Sequence, residues 1–112
     1  MKEEITFEDF LKVDIRIGTI IEVNYFPKAR KPAYQLKIDF GDLGIKKTSA
    51  QITDLYSKED LLNAQVSAIM NFKSRQIANF MSEVLVLGIY NTDGKVVLLR
   101  ASKAVKNGEQ VR

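Results

Sequence analysis

The sequence predicts an all-β fold: an OB-fold five-stranded Greek-key barrel with short helices and terminal extensions, occupying residues 1–112 as a single domain. Three observations predict it. Short runs of alternating apolar and polar residues recur along the chain, separated by Gly, Asn and Asp turn signals. Helical spacing interrupts them only briefly, at the start and between the third and fourth runs. A chain of 112 residues closes one core but has no room for a separate catalytic lobe.

Each element has a local cause. Thr6-Phe7-Glu8-Asp9 sets a capping oxygen three residues before an acid, and Phe7, Phe10 and Leu11 follow helical spacing, so a short leading helix is expected. Val13, Ile15 and Ile17 alternate with Asp14, Arg16 and Gly18, and β-rich sequence runs on to Tyr25. Gly18 is expected to mark a bulge or bend that lets this long first strand wrap round a barrel. After Pro27–Pro32, Tyr34, Leu36, Ile38 and Phe40 alternate with Gln35, Lys37 and Asp39 as a half-buried second strand. Gly41-Asp42-Leu43-Gly44 reads as a hairpin connection to a weaker third strand over Ile45–Ile52. Ser57-Lys58-Glu59-Asp60 repeats the capping pattern and predicts a helix of about two turns covering Leu61 and Leu62. Val66, Ala68, Met70 and Phe72 make the fourth strand and Glu83–Tyr90 the fifth. Lys95–Arg100 forms a sixth run across an Asp93-Gly94 turn, with another turn at Asn107-Gly108.

Charge is concentrated in two of the connections. Lys28, Arg30 and Lys31 lie between the first and second strands, Lys73 and Arg75 between the fourth and fifth, with no acid among them. The whole chain has a formal net charge of +3, so everything outside these five residues is net acidic. OB barrels bind ligands on the face of strands two and three, flanked by these same two loops. The basic segments are therefore expected to be the rims of one groove. Its candidate residues are Lys28, Arg30, Lys31, Tyr34, Ser49, Gln51, Phe72, Lys73, Arg75, Gln76, Ser82 and Glu83, with Lys37 and Lys47 on the neighbouring solvent face. Tyr34, Phe72 and Phe80 serve either as planes for stacking bases or packing peptide side chains, or as core, since Tyr34 and Phe72 continue core alternations. Glu83 is expected to orient Arg75 or Arg30.

Other chemistries are disfavoured. The chain has no cysteine and no histidine, which removes disulfides, thiolate ligands, and the commonest metal ligand and general base. The acids are scattered and no glycine-rich phosphate loop occurs, so no catalytic residue, cofactor or metal site is assigned. Met1-Lys2-Glu3-Glu4-Ile5-Thr6 lacks the apolar segment of a secretory signal, and Val84–Tyr90 falls well short of the ~20 residues a membrane helix needs. The expectation is a cytoplasmic protein without membrane insertion.

Three stretches carry a family resemblance: Lys12-Val13-Asp14-Ile15-Arg16-Ile17-Gly18, the segment from Phe26 to Thr53, and the segment from Asn71 to Gly88. They resemble the CsaA-type export-related chaperones of the tRNA-binding-domain family, which includes domains appended to methionyl-tRNA synthetases and the EMAP-like cofactors. The resemblance implies a non-catalytic OB-fold homodimer, built through its chain termini, that binds unfolded or pre-export polypeptides in the cytoplasm. In the RNA-binding branch the first loop reads His-Pro-x-Ala-Asp-Lys-Leu, whereas here Phe26 precedes Pro27. That branch also carries Ser-x-Gly-Met where this chain has Ser82-Glu83-Val84-Leu85, so only Ser82 carries over. Glu83 sets negative charge near any phosphate. The chaperone reading therefore leads, with a tRNA- or structured-RNA-binding module as the alternative.

Overall fold

The computed structural model describes residues 1–112. Its frame is β1 (Ile15–Tyr25), which is long enough to serve two neighbours. Ile15–Thr19 pairs antiparallel with β4 (Gln65–Ile69), and Thr19–Tyr25 pairs antiparallel with β2 (Tyr34–Asp39). Between the halves the register shifts at Ile20/Glu22, and this irregularity bends the strand round the barrel. The expected bulge at Gly18 is thus displaced to Ile21. Gly18 instead stays in regular register opposite Val66. A Cβ there would lie 2.7 Å from Ile38 Cγ2 and from the Phe40 ring, so close packing of the core explains the glycine.

β3 (Ile45–Ala50) follows β2 through a 3-10 turn at Gly41–Leu43. Leu36, Ile38 and Phe40 face inward, as the alternation predicts, and are essentially inaccessible to solvent. The five-stranded sheet has the order β3-β2-β1-β4-β7, where β7 is Leu85–Val86, and curls into a nearly closed antiparallel barrel of OB type. Ile20, Leu36, Ile38, Phe40 and Val66 fill it.

Both capping boxes form. Thr6 caps α1 (Phe7–Leu11) with Asp9, and Ser57 caps α2 (Lys58–Leu61) with Asp60. α2 is shorter than expected because Leu62 turns extended and Asn63 takes φ 69°. Its one turn is enough to seal the barrel end, since Leu61 is fully buried while Leu62 stays exposed.

Two further departures concern the second half of the chain. The connection from the fourth to the fifth barrel strand is itself a β-hairpin, β5 (Arg75–Ile77) with β6 (Phe80–Ser82), turning through Ala78 at φ 53°. The apolar run Glu83–Tyr90 also divides. Leu87 donates its amide to Ser67 O and accepts from Leu99 N, and beyond it β8 (Gly88–Tyr90) leaves the barrel to pair with β9 (Val96–Leu98). The Asn107-Gly108 turn then returns the chain to β1, where Gly108 N donates to Ile17 O and Val111 N to Ile15 O. This tail occupies the Ile15–Ile17 stretch of the β1 edge that β2, pairing from Thr19 onward, leaves open.

Candidate functional site

The barrel is not closed by a strand ladder. Between β3 and the β6–β7 segment, one backbone bond and several side-chain bonds hold the seam. The alternation of β3 points the backbone groups of Lys47, Ser49 and Gln51 away from β2, toward this seam. Glu83 accepts the Lys47 amide on Oε1 at 2.9 Å and donates its own amide to Lys47 O at 2.8 Å. Ser82 Oγ accepts the Ser49 amide at 3.2 Å, and buried Thr48 donates Oγ1 to Val84 O at 2.7 Å. Glu83 therefore makes no ion pair with Arg75 or Arg30. The ion pairs of the chain are Lys12–Asp9, Arg16–Asp14 and Lys37–Glu22, all elsewhere.

Two cavities flank the seam under the β5–β6 hairpin. The first, about 450 Å³, gathers six of the predicted residues: Ser49, Phe72, Lys73, Arg75, Ser82 and Glu83. Ile77, Val84 and Leu85 complete its lining. The second, about 490 Å³, runs from Ser49–Ile52 to Leu85–Gly88 and takes in Gln51, with Ser49, Arg75, Ile77 and Leu85 shared between the two. Ile77 lies outside the sequence-predicted set because the connection between the fourth and fifth strands carries only a short alternation. The alternation of Arg75 and Ile77 opposite Phe80 and Ser82 is the signal that could have found it.

The other predicted residues lie outside these cavities. Lys28, Arg30 and Lys31 are exposed in the β1–β2 turn, and Gln76 is exposed with its side-chain amide on Ala78 O. Tyr34 is a core residue: it is 3% exposed and its hydroxyl donates to Tyr56 O at 2.8 Å. Burial first, then the charges of Tyr25, Glu59 and Asp60, push its hydroxyl above the usual tyrosine range. It is no stacking plane. Phe72, by contrast, lies beyond the end of β4 and is 57% exposed, so of the three aromatics it is the one available to a ligand.

Phe80 has a positioning part. Its ring meets that of buried Phe26 edge-on at 5.5 Å, and Lys47 Nζ sits 5.4 Å from its centroid. This contact ties the start of the β1–β2 turn to the β5–β6 hairpin. The site offers cations, apolar walls and hydroxyls. No cluster of acidic side chains capable of holding a metal occurs.

A family model described as "Putative tRNA binding domain" matches residues 15–110. The chain belongs to the tRNA-binding-domain family. Among curated relatives, the methionine–tRNA ligase of Parabacteroides distasonis is 38% identical over the whole chain, and that of Bacteroides fragilis 36%. The chain spans only 16% of the length of either ligase. Two solved structures match it almost end to end. Chaperone CsaA from Bacillus anthracis superposes with TM-score 0.92 at 47% identity, covering 98% of this chain and 100% of that one. CsaA chaperone from Picrophilus torridus gives 0.91 at 51%, covering 97% and 100%.

Proposed function

We propose that this tRNA-binding-domain chain is a homodimeric molecular chaperone that holds unfolded or pre-export polypeptides in the cavities beside the β3 seam and assists their export. The observation that carries the reading is the composition of the first cavity. Phe72, Ile77 and Leu85 supply apolar wall, Lys73 and Arg75 supply charge, and the whole lies open at the surface rather than in the core. Apolar walls with flanking cations suit an extended chain of mixed sequence. The end-to-end likeness to two CsaA chaperones supports the same reading. On this reading the chain acts without catalysis, in the cytoplasm, and no helix of it is long and apolar enough to cross a membrane.

The homodimer rests on exposed apolar residues near both ends of the fold. Phe7 and Leu11 on α1, and Ile89, Val97 and Leu99 around the β8–β9 hairpin, are each at least 39% exposed. Surface of this kind is covered in an assembly. Two grooves in one particle would also grip one client with avidity.

The alternative is a tRNA- or structured-RNA-binding module. Family membership and the full-chain match to methionine–tRNA ligases favour it. Salt separates the two ligands, because affinity built on several phosphate contacts falls steeply between low and physiological salt while apolar peptide binding barely moves. The test is competition between labelled tRNA and a denatured protein client, with Phe72→Ala, Lys73→Ala/Arg75→Ala and Arg30→Ala/Lys31→Ala variants. Phe72→Ala is expected to weaken the client several-fold and leave tRNA unchanged. The client reading is lost if Phe72→Ala and Lys73→Ala/Arg75→Ala both bind client as the parent does.

A further inference from the structure

The second cavity has a property that composition alone does not convey: two strand edges face each other across it with free backbone groups. On β3 the residues bonded to β2 are Lys46, Thr48 and Ala50, so Gln51 continues the outward-pointing set of Lys47 and Ser49. Lys47 and Ser49 are occupied by Glu83 and Ser82. Gln51 N–H and C=O have no partner in the chain. On β7, Leu87 N donates to Ser67 O, which fixes Leu85 and Leu87 as the residues bonded to β4. Val86 therefore directs its N–H and C=O away from β4, toward β3. An open edge of this kind is a template for another chain.

We propose that the slot between Gln51 and Val86 takes an extended peptide segment as an added strand, bonded through its backbone to both edges. The inference rests on the client-binding reading above and specifies how the client is held. Successive antiparallel pairings along β3-β2-β1-β4-β7 leave β3 and β7 parallel to each other. A segment running opposite to both completes two antiparallel ladders at once. Its neighbouring residues point their amides to alternate sides, one to Gln51 and the next to Val86. Side chains then fall on Ile77 and Leu98 in the slot, while Arg75 and Lys73 stand beside its mouth and favour an acidic flanking residue. A polynucleotide has no amide backbone to match these edges. The side-chain bonds of Ser82 and Glu83 cap β3 only up to Ser49, which leaves this end of the seam for the peptide.

The test uses a fluorescent heptapeptide of alternating valine and threonine with glutamate at both ends, N-methylated at one position at a time, titrated on the full chain. Loss of at least about tenfold confined to two neighbouring central positions is expected, as each such position removes one backbone hydrogen bond and blocks close approach. Gln51→Pro deletes the edge N–H that donates to a peptide carbonyl but keeps the Gln51 carbonyl that accepts a peptide N–H, so it should weaken the parent peptide while the N-methyl-sensitive positions stay where they are. Gln51→Ala, which loses the side chain but keeps the amide, should weaken the peptide less than Gln51→Pro does. If the peptide binds and all N-methyl variants stay within twofold, strand addition is overturned while client binding survives. If denatured client and peptide both fail to bind, the functional reading falls with it. A change in the sedimentation of the protein alone on Gln51→Pro, with peptide binding unaltered, assigns the slot to a second copy and likewise overturns the proposal.

Discussion

Glu83 acts in this structure through a hydrogen bond to the Lys47 amide rather than through a charge pair, and the two roles predict different mutants. Glu83→Gln keeps an oxygen that accepts that amide, so urea unfolding should show a loss well below that of Glu83→Ala, for which about 1–2 kcal/mol is expected. The same Gln variant removes a negative charge beside Arg75, and tRNA affinity at low salt should rise. Asp60 gives a pH-dependent counterpart. The Ser57 amide first, and its side chain second, hold the Asp60 carboxyl below the ordinary carboxylate range. A carboxyl lowered in the folded state stabilises above its unfolded pKa, and the contribution disappears as pH falls through the folded value. Asp60→Asn should therefore melt lower than the parent at pH 7, and the difference should narrow below about pH 4. Equal separation at pH 7 and pH 3 would contradict the capping account.

Among the elements, β1 is the one on which the others depend, and Gly18 is its tightest point. Gly18→Ala would push a methyl group to 2.7 Å from Ile38 and Phe40, so a loss of about 1–3 kcal/mol is expected by chemical denaturation. The strand β2 was the most legible because Tyr34, Leu36 and Ile38 bury one face and burial writes an alternation into the sequence, whereas Val66, Ser67 and Ala68 of β4 are buried in succession and β3 buries only Thr48. The capped helices were legible because a Ser or Thr and an acid three residues later form a local bond that needs no tertiary partner. The β5–β6 hairpin was not legible, because its turn is Ala78-Asn79 instead of a glycine pair and its strands are three residues each. The division of Glu83–Tyr90 was hidden for another reason. Val84 is buried in the core, but Leu85, Ile89 and Tyr90 are equally apolar and exposed, so hydrophobicity alone did not mark where the strand leaves the barrel.

For the whole molecule, the apolar residues left outside the core make the assembly prediction. Ile89→Asp/Val97→Asp places charge on the exposed β8–β9 surface, and analytical ultracentrifugation at micromolar concentration should show a dimer for the parent and a monomer for the variant. A monomeric parent would remove the dimer from the proposed function. At this scale the sequence indicates which residues come together more readily than how each one is oriented. Ser49 from β3 and Lys73, Arg75, Ser82 and Glu83 from the segment between the fourth and fifth barrel strands line one cavity. Tyr34 does not, since nothing in an alternating strand says which aromatic ends at the surface. The hairpin that covers the cavities pairs only with itself, and its Ala78-Asn79 tip lies outside every barrel ladder. Repertoire and scaffold are thereby uncoupled: a library randomised at that tip could be selected for new clients while the barrel beneath it folds unchanged.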